Sequence, residues 1–205
     1  MKKQKQIIWF FVLAVVFIPL TVFAVVSWYE RNFQALPVYG NDRHTVDQFS
    51  MTNQFGKTIT LENWENKIIV VDFFFTSCPS ICPKMTNSLK LVRSNFVNDS
   101  MVQINSFSVD PDRDSVARLF TYAKRFAIQG NWNLLTGNKM EIYRLARKSF
   151  LLVATDGDGG PNDFIHSEKL VLVDTKKRIR GYYNGTSESE VAQLVKDINK
   201  LKKEN

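Results

Sequence analysis

The two cysteines of this 205-residue chain lie close together in the stretch TSCPSICPKM. Cys78 and Cys82 are separated by three residues, and each is followed by proline. Thiols at this spacing can form a disulfide, exchange disulfides with another protein, or bind one soft metal ion. A structural disulfide is common outside the cytoplasm, but a loop this short removes little entropy from the unfolded chain. Redox chemistry and metal binding are therefore the leading interpretations.

The residues around the pair predict a reactive environment. The run KIIVVDFFF, residues 67–75, indicates a central strand covered on both faces, and α/β proteins bind ligands beyond the carboxyl ends of such strands. Because proline disfavours the α conformation in the residue before it, we expect both cysteines in a loop, with Pro83 beginning a helix. The partial positive charge at that helix N-terminus should lower the pKa of Cys82. A thiolate is the better nucleophile and the better metal ligand.

Three other candidates are polar residues near strand ends. His166 precedes the apolar run LVLVD, whereas the other histidine, His44, lies in a predicted linker where nothing selects it as a ligand. Asp110 and Asp114 stand where a strand gives way to a helix, and their ordinary roles there are turn formation and N-capping. A functional role would be to influence a metal site or to dock a partner.

Strands and helices alternate along the rest of the chain, which predicts an α/β sandwich with a mixed sheet. Residues 46–61 predict an N-terminal β-hairpin, and two strands joined at residues 175–177 add an antiparallel portion. Helices are predicted from residue 85 to residue 96, from a cap at Asp114 or Ser115 to Phe126, from a cap at Asn138 to Ser149, and from Ser187 to Lys203.

The N-terminal segment predicts a membrane anchor. Ile7 to Trp28 contains no charged residue and is long enough to cross a bilayer as a helix. A cleaved signal peptide is the alternative, but this run exceeds the usual apolar region and lacks an A-x-A site. Lysines before the run place the short N-terminus in the cytoplasm. The predicted organisation is a cytoplasmic tip and anchor over residues 1–28, a linker over 29–45 and a globular domain over 46–205.

The charge distribution argues against nucleic-acid binding. The formal net charge is +7, but the basic residues of the domain are scattered along predicted helices. A solvated surface explains them better than a nucleic-acid interface.

Three segments in this order, TSCPSICPKM, SFSVDPDRDS and FIHSEKLVLVD, resemble the SCO/SenC family from about Leu36 to Leu201. The resemblance implies a thioredoxin-like three-layer sandwich on a membrane anchor, with Cys78, Cys82 and His166 as copper ligands. It also implies a copper metallochaperone whose partner is the copper-site subunit of cytochrome c oxidase. Two thiolates suit Cu(I), and an imidazole lets the same site hold Cu(II). We expect a single-pass protein of a bacterial plasma membrane with its C-terminal domain outside the cytoplasm.

Two enzymatic alternatives use the same thiols. A metallochaperone is a transfer protein with no catalytic residue, whereas a membrane-anchored thiol-disulfide reductase would use Cys78 and Cys82 as catalytic residues and need no metal. Against the reductase, the segment FIHSEK lacks the proline that such enzymes usually carry before the adjacent strand. A peroxide-consuming enzyme with Cys78 as the oxidised thiol would need a nearby arginine, which the sequence does not identify.

Overall fold

A computed structural model of the chain describes residues 2–33, 35–41, 43–152 and 167–204. The chain divides into two compact units, Met1–Ala35 and Leu36–Asn205. The first unit is a helix, α1, over Lys2–Phe33. Within α1, the 19 residues Trp9–Ser27 have a mean hydropathy of 2.7 and are long and apolar enough to cross a membrane. A signal sequence would meet the same criterion.

The second unit contains a mixed β-sheet. Its strands are β1 Ser50–Asn53, β2 Thr58–Thr60, β3 Ile68–Phe74, β4 Val102–Ser108, β5 Trp132–Thr136, β6 Lys169–Val173 and β7 Ile179–Asn184. They are ordered β2-β1-β5-β4-β3-β6-β7. β4 runs parallel to both β3 and β5, and the other neighbouring pairs are antiparallel. The predicted mixed sheet and N-terminal hairpin are confirmed.

Helices cover both faces of the sheet. They are α2 Ile81–Asn95, α3 Val116–Phe126, α4 Lys139–Arg144 and α5 Glu188–Glu204, with a 3-10 turn at Leu61–Trp64 and a π-helical turn at Leu145–Ser149. One core forms where α2, α3 and α5 pack on the sheet. The other forms beneath α4, the π-helical turn and the 3-10 turn. The chain therefore has the predicted three layers.

The central strand β3 is buried along its whole length. Ile68 and Val70 point into the core beneath α2, α3 and α5, whereas Ile69 and Val71 point into the opposite core. A strand buried on both faces needs apolar side chains at successive positions, which explains the uninterrupted apolar run in the sequence. This strand delivers the chain to the cysteine loop.

The residues that follow α1 from Leu36 onward belong to the second unit. Arg180 is buried, and it donates hydrogen bonds from Nη2 to the carbonyl of Leu36 at 2.8 Å and from Nε to the carbonyl of Pro37 at 3.1 Å. Tyr39 forms an isolated bridge with Ile179 of β7. The compact unit thus begins at Leu36, within the predicted linker over residues 29–45. The residues from Leu36 onward are held there because a buried guanidinium needs these carbonyl acceptors.

Candidate metal and redox site

The two cysteines lie where β3 passes into α2. Cys78 is half-buried in the connecting loop, and Cys82 is buried in the first turn of α2. The expectation that Cys82 is extended and that the helix begins at Pro83 is wrong, because α2 begins at Ile81. Proline fits within a first turn, where its missing N–H would have had no partner inside the helix. Both residues are free thiols in this structure.

The sulfur of Cys78 lies against the N-terminus of α2. It accepts a hydrogen bond from the backbone N–H of Cys82 at 3.3 Å. Partial burial works to raise the pKa of Cys78, but hydrogen bonds from the Cys82 thiol and from backbone N–H groups of Cys82, Ser80 and Ile81 outweigh it. The pKa of Cys78 is therefore lower than that of an ordinary thiol, which makes it the more readily ionised thiol of the pair.

Cys82 is shifted in the opposite direction. Burial raises its pKa to about 12, and the hydrogen bond that its thiol makes to Cys78 adds to the rise. The prediction that the helix N-terminus lowers the pKa of Cys82 is therefore wrong. Desolvation outweighs the helix dipole at this buried position, and the dipole acts on Cys78 instead. The pair thus combines one half-buried thiol of lowered pKa with one buried thiol of raised pKa.

Asp114 holds the cysteine loop in place. Its carboxylate is fully buried and accepts hydrogen bonds from the backbone N–H of Thr76 at 2.9 Å, from the Thr76 hydroxyl, and from the hydroxyl of Ser108 at 2.6 Å. The cap of α3 is the neighbouring Ser115, whose hydroxyl accepts from the N–H of Arg118. Of the two candidates for that cap, only Ser115 has this role, and Asp114 instead ties α3 to the residues before Cys78.

An arginine that the sequence did not reveal also reaches this loop. Arg118 donates from Nε to the hydroxyl of Thr76 at 2.8 Å, and the same nitrogen lies 3.8 Å from Asp114. No motif links these positions, which lie on different elements, so only the fold brings them together. Asp110, the other acidic candidate, forms a 3.5 Å ion pair with the exposed side chain of Arg113.

A second buried carboxylate, Asp72, lies inside β3. It accepts a short hydrogen bond from the hydroxyl of Ser106, which in turn accepts one from Nε1 of Trp132 at 2.9 Å. Burial raises the pKa of Asp72 to about 7, and the negative charge of Asp72 contributes to the raised pKa of Cys82. The available sequence signal was one acidic residue within an otherwise apolar strand.

The structure describes His44 but not His166. His166 lies outside the described residues, so its predicted role stays a prediction. His44 is partly buried, and its Nε2 is hydrogen-bonded to the carbonyl of Ser149 at 2.9 Å, which gives it a structural partner. Among the residues that the structure describes, no group of three metal-binding side chains occurs.

Comparison with known proteins identifies related sequences and folds. The SCO1/SenC family model matches residues 38–203. The SCO1 protein homolog of Bacillus subtilis is 31% identical over 158 residues, which cover 76% of this chain and 81% of the relative.

Two solved structures share the fold. BsSco, a member of the Sco family of cytochrome c oxidase assembly proteins in which a disulfide switch was identified, has 29% identity and a TM-score of 0.67 over 80% of this chain and 96% of its own. Arabidopsis thaliana ScoI with copper bound has 28% identity and a TM-score of 0.61 over 76% of this chain and 98% of its own. The predicted thioredoxin-like fold is confirmed by this likeness.

Proposed function

Because the chain belongs to the SCO1/SenC family, we propose that it is a copper metallochaperone that supports assembly of the binuclear copper site of cytochrome c oxidase. In this proposal Cys78, Cys82 and His166 bind copper as cargo. The observation that carries it is the pair of free thiols at the end of β3, of which one has a lowered pKa and is partly exposed.

The donor set suits copper. Two sulfurs are soft ligands that favour Cu(I), and an added imidazole allows the site to hold Cu(II) as well. A closed structural zinc site would ordinarily use four protein ligands. Copper binding to a related protein supports the assignment, since Arabidopsis thaliana ScoI has a solved copper-bound structure. Metal binding would require the Cys82 thiol to lose its proton, so affinity should rise with pH.

Sheet register supports His166 as the third ligand. β6 runs antiparallel to β3, with Val171 opposite Val71 and Val173 opposite Ile69. The first residues of β6 therefore lie at the edge of the sheet where β3 ends and the cysteine loop begins. The described chain resumes at Ser167 just before that edge, and we propose the preceding residue in the sequence, His166, as the third ligand.

The proposed partner is the copper-site subunit of cytochrome c oxidase. The BsSco relative belongs to a family of cytochrome c oxidase assembly proteins, which supports an oxidase as the acceptor. The apolar helix Trp9–Ser27 would act as a single-pass anchor in a bacterial plasma membrane, with the C-terminal domain outside the cytoplasm. Anchoring donor and acceptor in one membrane raises their effective concentration for transfer.

Anaerobic copper titration of the full chain in detergent tests this function. We expect about one copper per chain for the unsubstituted protein, and loss of tight binding in Cys78→Ser and Cys82→Ser. His166→Ala should still bind Cu(I) through the two sulfurs but should lose most of its affinity for Cu(II). Copper binding that is unaffected by the two cysteine substitutions would contradict the proposal.

The alternative function is a thiol-disulfide reductase, and the unequal pKa values of the two thiols favour it. The Cys78 thiolate would attack a substrate disulfide, forming a mixed disulfide and releasing one substrate thiolate. Cys82 would then lose its proton and attack the Cys78 sulfur, which leaves a Cys78–Cys82 disulfide and a fully reduced substrate. His166→Ala separates the two functions, since the exchange reaction does not use the imidazole.

A further inference from the structure

A groove with a basic lining lies beside the cysteine loop. Its volume is about 560 Å³, and it runs between Thr76 of that loop and the exposed face of α3. Two guanidinium groups line it, those of Arg118 and Arg125. Thr76 is two positions before Cys78, so a molecule in this groove contacts the same loop that carries the Cys78 thiol.

The positive charge of the groove is not balanced by its own helix. α3 contains Arg118, Lys124 and Arg125 but no acidic residue. Asp114 offsets part of the charge of Arg118 at 3.8 Å, and Asp110 is paired with Arg113. Within the described part of the chain, neither Arg118 nor Arg125 forms any other ion pair, and both are exposed. The N-terminus of α3 at Ser115 also lines the groove and adds its partial positive charge.

The spacing of the two arginines favours an extended acidic ligand. Arg118 and Arg125 are seven residues apart, which is two turns or about 10 Å along a helix. A segment in the polyproline II conformation has three residues per turn, so its side chains at positions i and i+3 lie on the same face about 9 Å apart. Acidic side chains at these two positions can therefore reach one guanidinium each. Arg118 is already held by its hydrogen bond to Thr76, so it loses less freedom when it binds a carboxylate.

We propose that this groove binds a short acidic segment of the protein that Cys78 and Cys82 serve. The inference rests on the proposed function, because it assigns a docking site for the acceptor of copper or of electrons. The acidic segment would orient the acceptor cysteines toward Cys78 and speed their encounter with it. A protein segment fits better than a flat lipid surface, because the cations line a concave groove beside the thiols.

The rate of disulfide exchange with designed peptides tests the groove. Each peptide carries one cysteine as a mixed disulfide with thionitrobenzoate, and either two glutamates three positions apart or glutamines at the same positions. Attack by the Cys78 thiolate forms a new disulfide with the peptide sulfur and releases the coloured thionitrobenzoate anion. For the full chain in neutral detergent at low salt, we expect the glutamate peptide to react about five- to tenfold faster than the glutamine peptide.

Variants with a reversed charge test whether the groove causes the preference for the glutamate peptide. Arg125→Glu should bring the ratio of the two rates to about one or below, since it replaces attraction by repulsion. Lys196→Glu, an equal charge change at an exposed position of α5, should keep the wild-type ratio. The ratio should fall toward one as salt is raised. A peptide with two lysines should react faster with the Arg125→Glu variant than with the unsubstituted chain.

Several results would overturn the proposal. A wild-type ratio near one, or an equal drop in Arg125→Glu and Lys196→Glu, would show that the groove does not select acidic segments. Rates that respond to phosphatidylserine in the micelles, with no preference for glutamate, would assign the groove to lipid headgroups. Stoichiometric copper binding by the unsubstituted chain together with a wild-type ratio near one would overturn the docking groove and leave the proposed function intact.

Discussion

Cys78 and Cys82 have the same side chain but lie in different environments. The Cys78 sulfur receives hydrogen bonds at the N-terminus of α2, whereas Cys82 is buried against apolar side chains. One thiol of lowered pKa and one of raised pKa suit stepwise capture of a metal ion or of a partner's sulfur, because the more exposed and more readily ionised group reacts first. The difference is set by the position of each residue at the start of the helix.

This difference predicts unequal reactivity toward iodoacetamide. Because only the thiolate reacts, Cys78 should be alkylated at least tenfold faster than Cys82 at pH 7.5, as measured by mass spectrometry of peptides from the folded, reduced chain. The pH profile of the Cys78 reaction should have its midpoint below the ordinary thiol value. In Cys82→Ala the midpoint should rise, because the Cys82 thiol makes the largest of the hydrogen bonds that lower the pKa of Cys78. Faster alkylation of Cys82 than of Cys78 would contradict the assignment.

Asp72 is a second residue whose environment changes its chemistry. Its carboxyl group is 2% exposed in the folded chain, and burial raises its pKa from 3.8 to about 7. Between these pH values the folded state binds more protons at this group than the unfolded state does, so stability falls as pH rises. Above pH 7 the loss is complete. Asp72 therefore destabilises the fold at neutral pH.

Asp72→Asn should remove this pH dependence. Between pH 4 and pH 7, the free energy of unfolding of the wild type should fall relative to that of the variant by roughly 2–4 kcal/mol. Urea unfolding of the apo chain across this range measures the difference, and titrating groups common to both proteins cancel. Asp112→Asn, at an exposed position, should keep the wild-type slope. Parallel curves for Asp72→Asn and the wild type would contradict the raised pKa.

At the scale of elements, the cysteine loop is positioned by a helix that is distant in sequence. α3 supplies the N-cap neighbour Asp114, whose carboxylate binds the backbone and hydroxyl of Thr76, and β4 supplies Ser108 to the same carboxylate. A buried carboxylate that accepts several hydrogen bonds fixes the groups around it, because each unpaired polar group would be costly. The position of Cys78 thus depends on three elements.

Removal of that carboxylate should loosen the loop. Asp114→Ala leaves the Thr76 N–H and the Ser108 hydroxyl without their acceptor, so the free energy of unfolding should fall by about 2–4 kcal/mol. Thr76→Val keeps the backbone hydrogen bond and should cost about 1 kcal/mol. Urea unfolding measures both losses. Asp112→Ala should change stability by less than about 0.5 kcal/mol, and a similarly small effect of Asp114→Ala would refute the proposed role.

The order and type of the elements could be predicted from the sequence, but the contacts between them could not. The apolar run of β3, the Ser115 and Asn138 caps and the hairpin of β6 and β7 follow from local patterns, and the structure confirms them. α2 begins at Ile81, two residues before the start that the proline preference predicts, because proline is tolerated within the first turn of a helix. The bonds of Asp114 and Arg118 to Thr76 depend on how α3 packs beside β3, which no short pattern contains.

At the scale of the whole molecule, the second unit includes residues that follow α1 directly. Arg180 is 4% exposed and binds Asp174, Glu204 and the carbonyls of Leu36 and Pro37. It therefore joins the start of the unit to β7 and to the end of α5. The sequence shows that Asp174, Arg180 and Glu204 are charged. It does not show that Asp174 and Glu204 both bind Arg180.

Truncation tests this arrangement. A chain beginning at Leu36 should fold with its full stability, whereas a chain beginning at Val46 should lose about 1–3 kcal/mol because Arg180 loses two buried carbonyl acceptors. For a domain of this size, the difference corresponds to a melting temperature lower by roughly 3–10 °C. Thermal unfolding followed by circular dichroism measures it. Equal melting temperatures for the two truncated chains would place the start of the stable domain at Val46.

The central claim is that copper joins the thiols of Cys78 and Cys82 to the imidazole of His166. X-ray absorption spectroscopy of the full chain loaded with Cu(II) measures this ligand set directly. We predict two sulfur ligands and imidazole scattering, with the imidazole signal lost in His166→Ala and kept in His44→Gln. A spectrum without two sulfurs, or one that is the same in His166→Ala and the wild type, would contradict it.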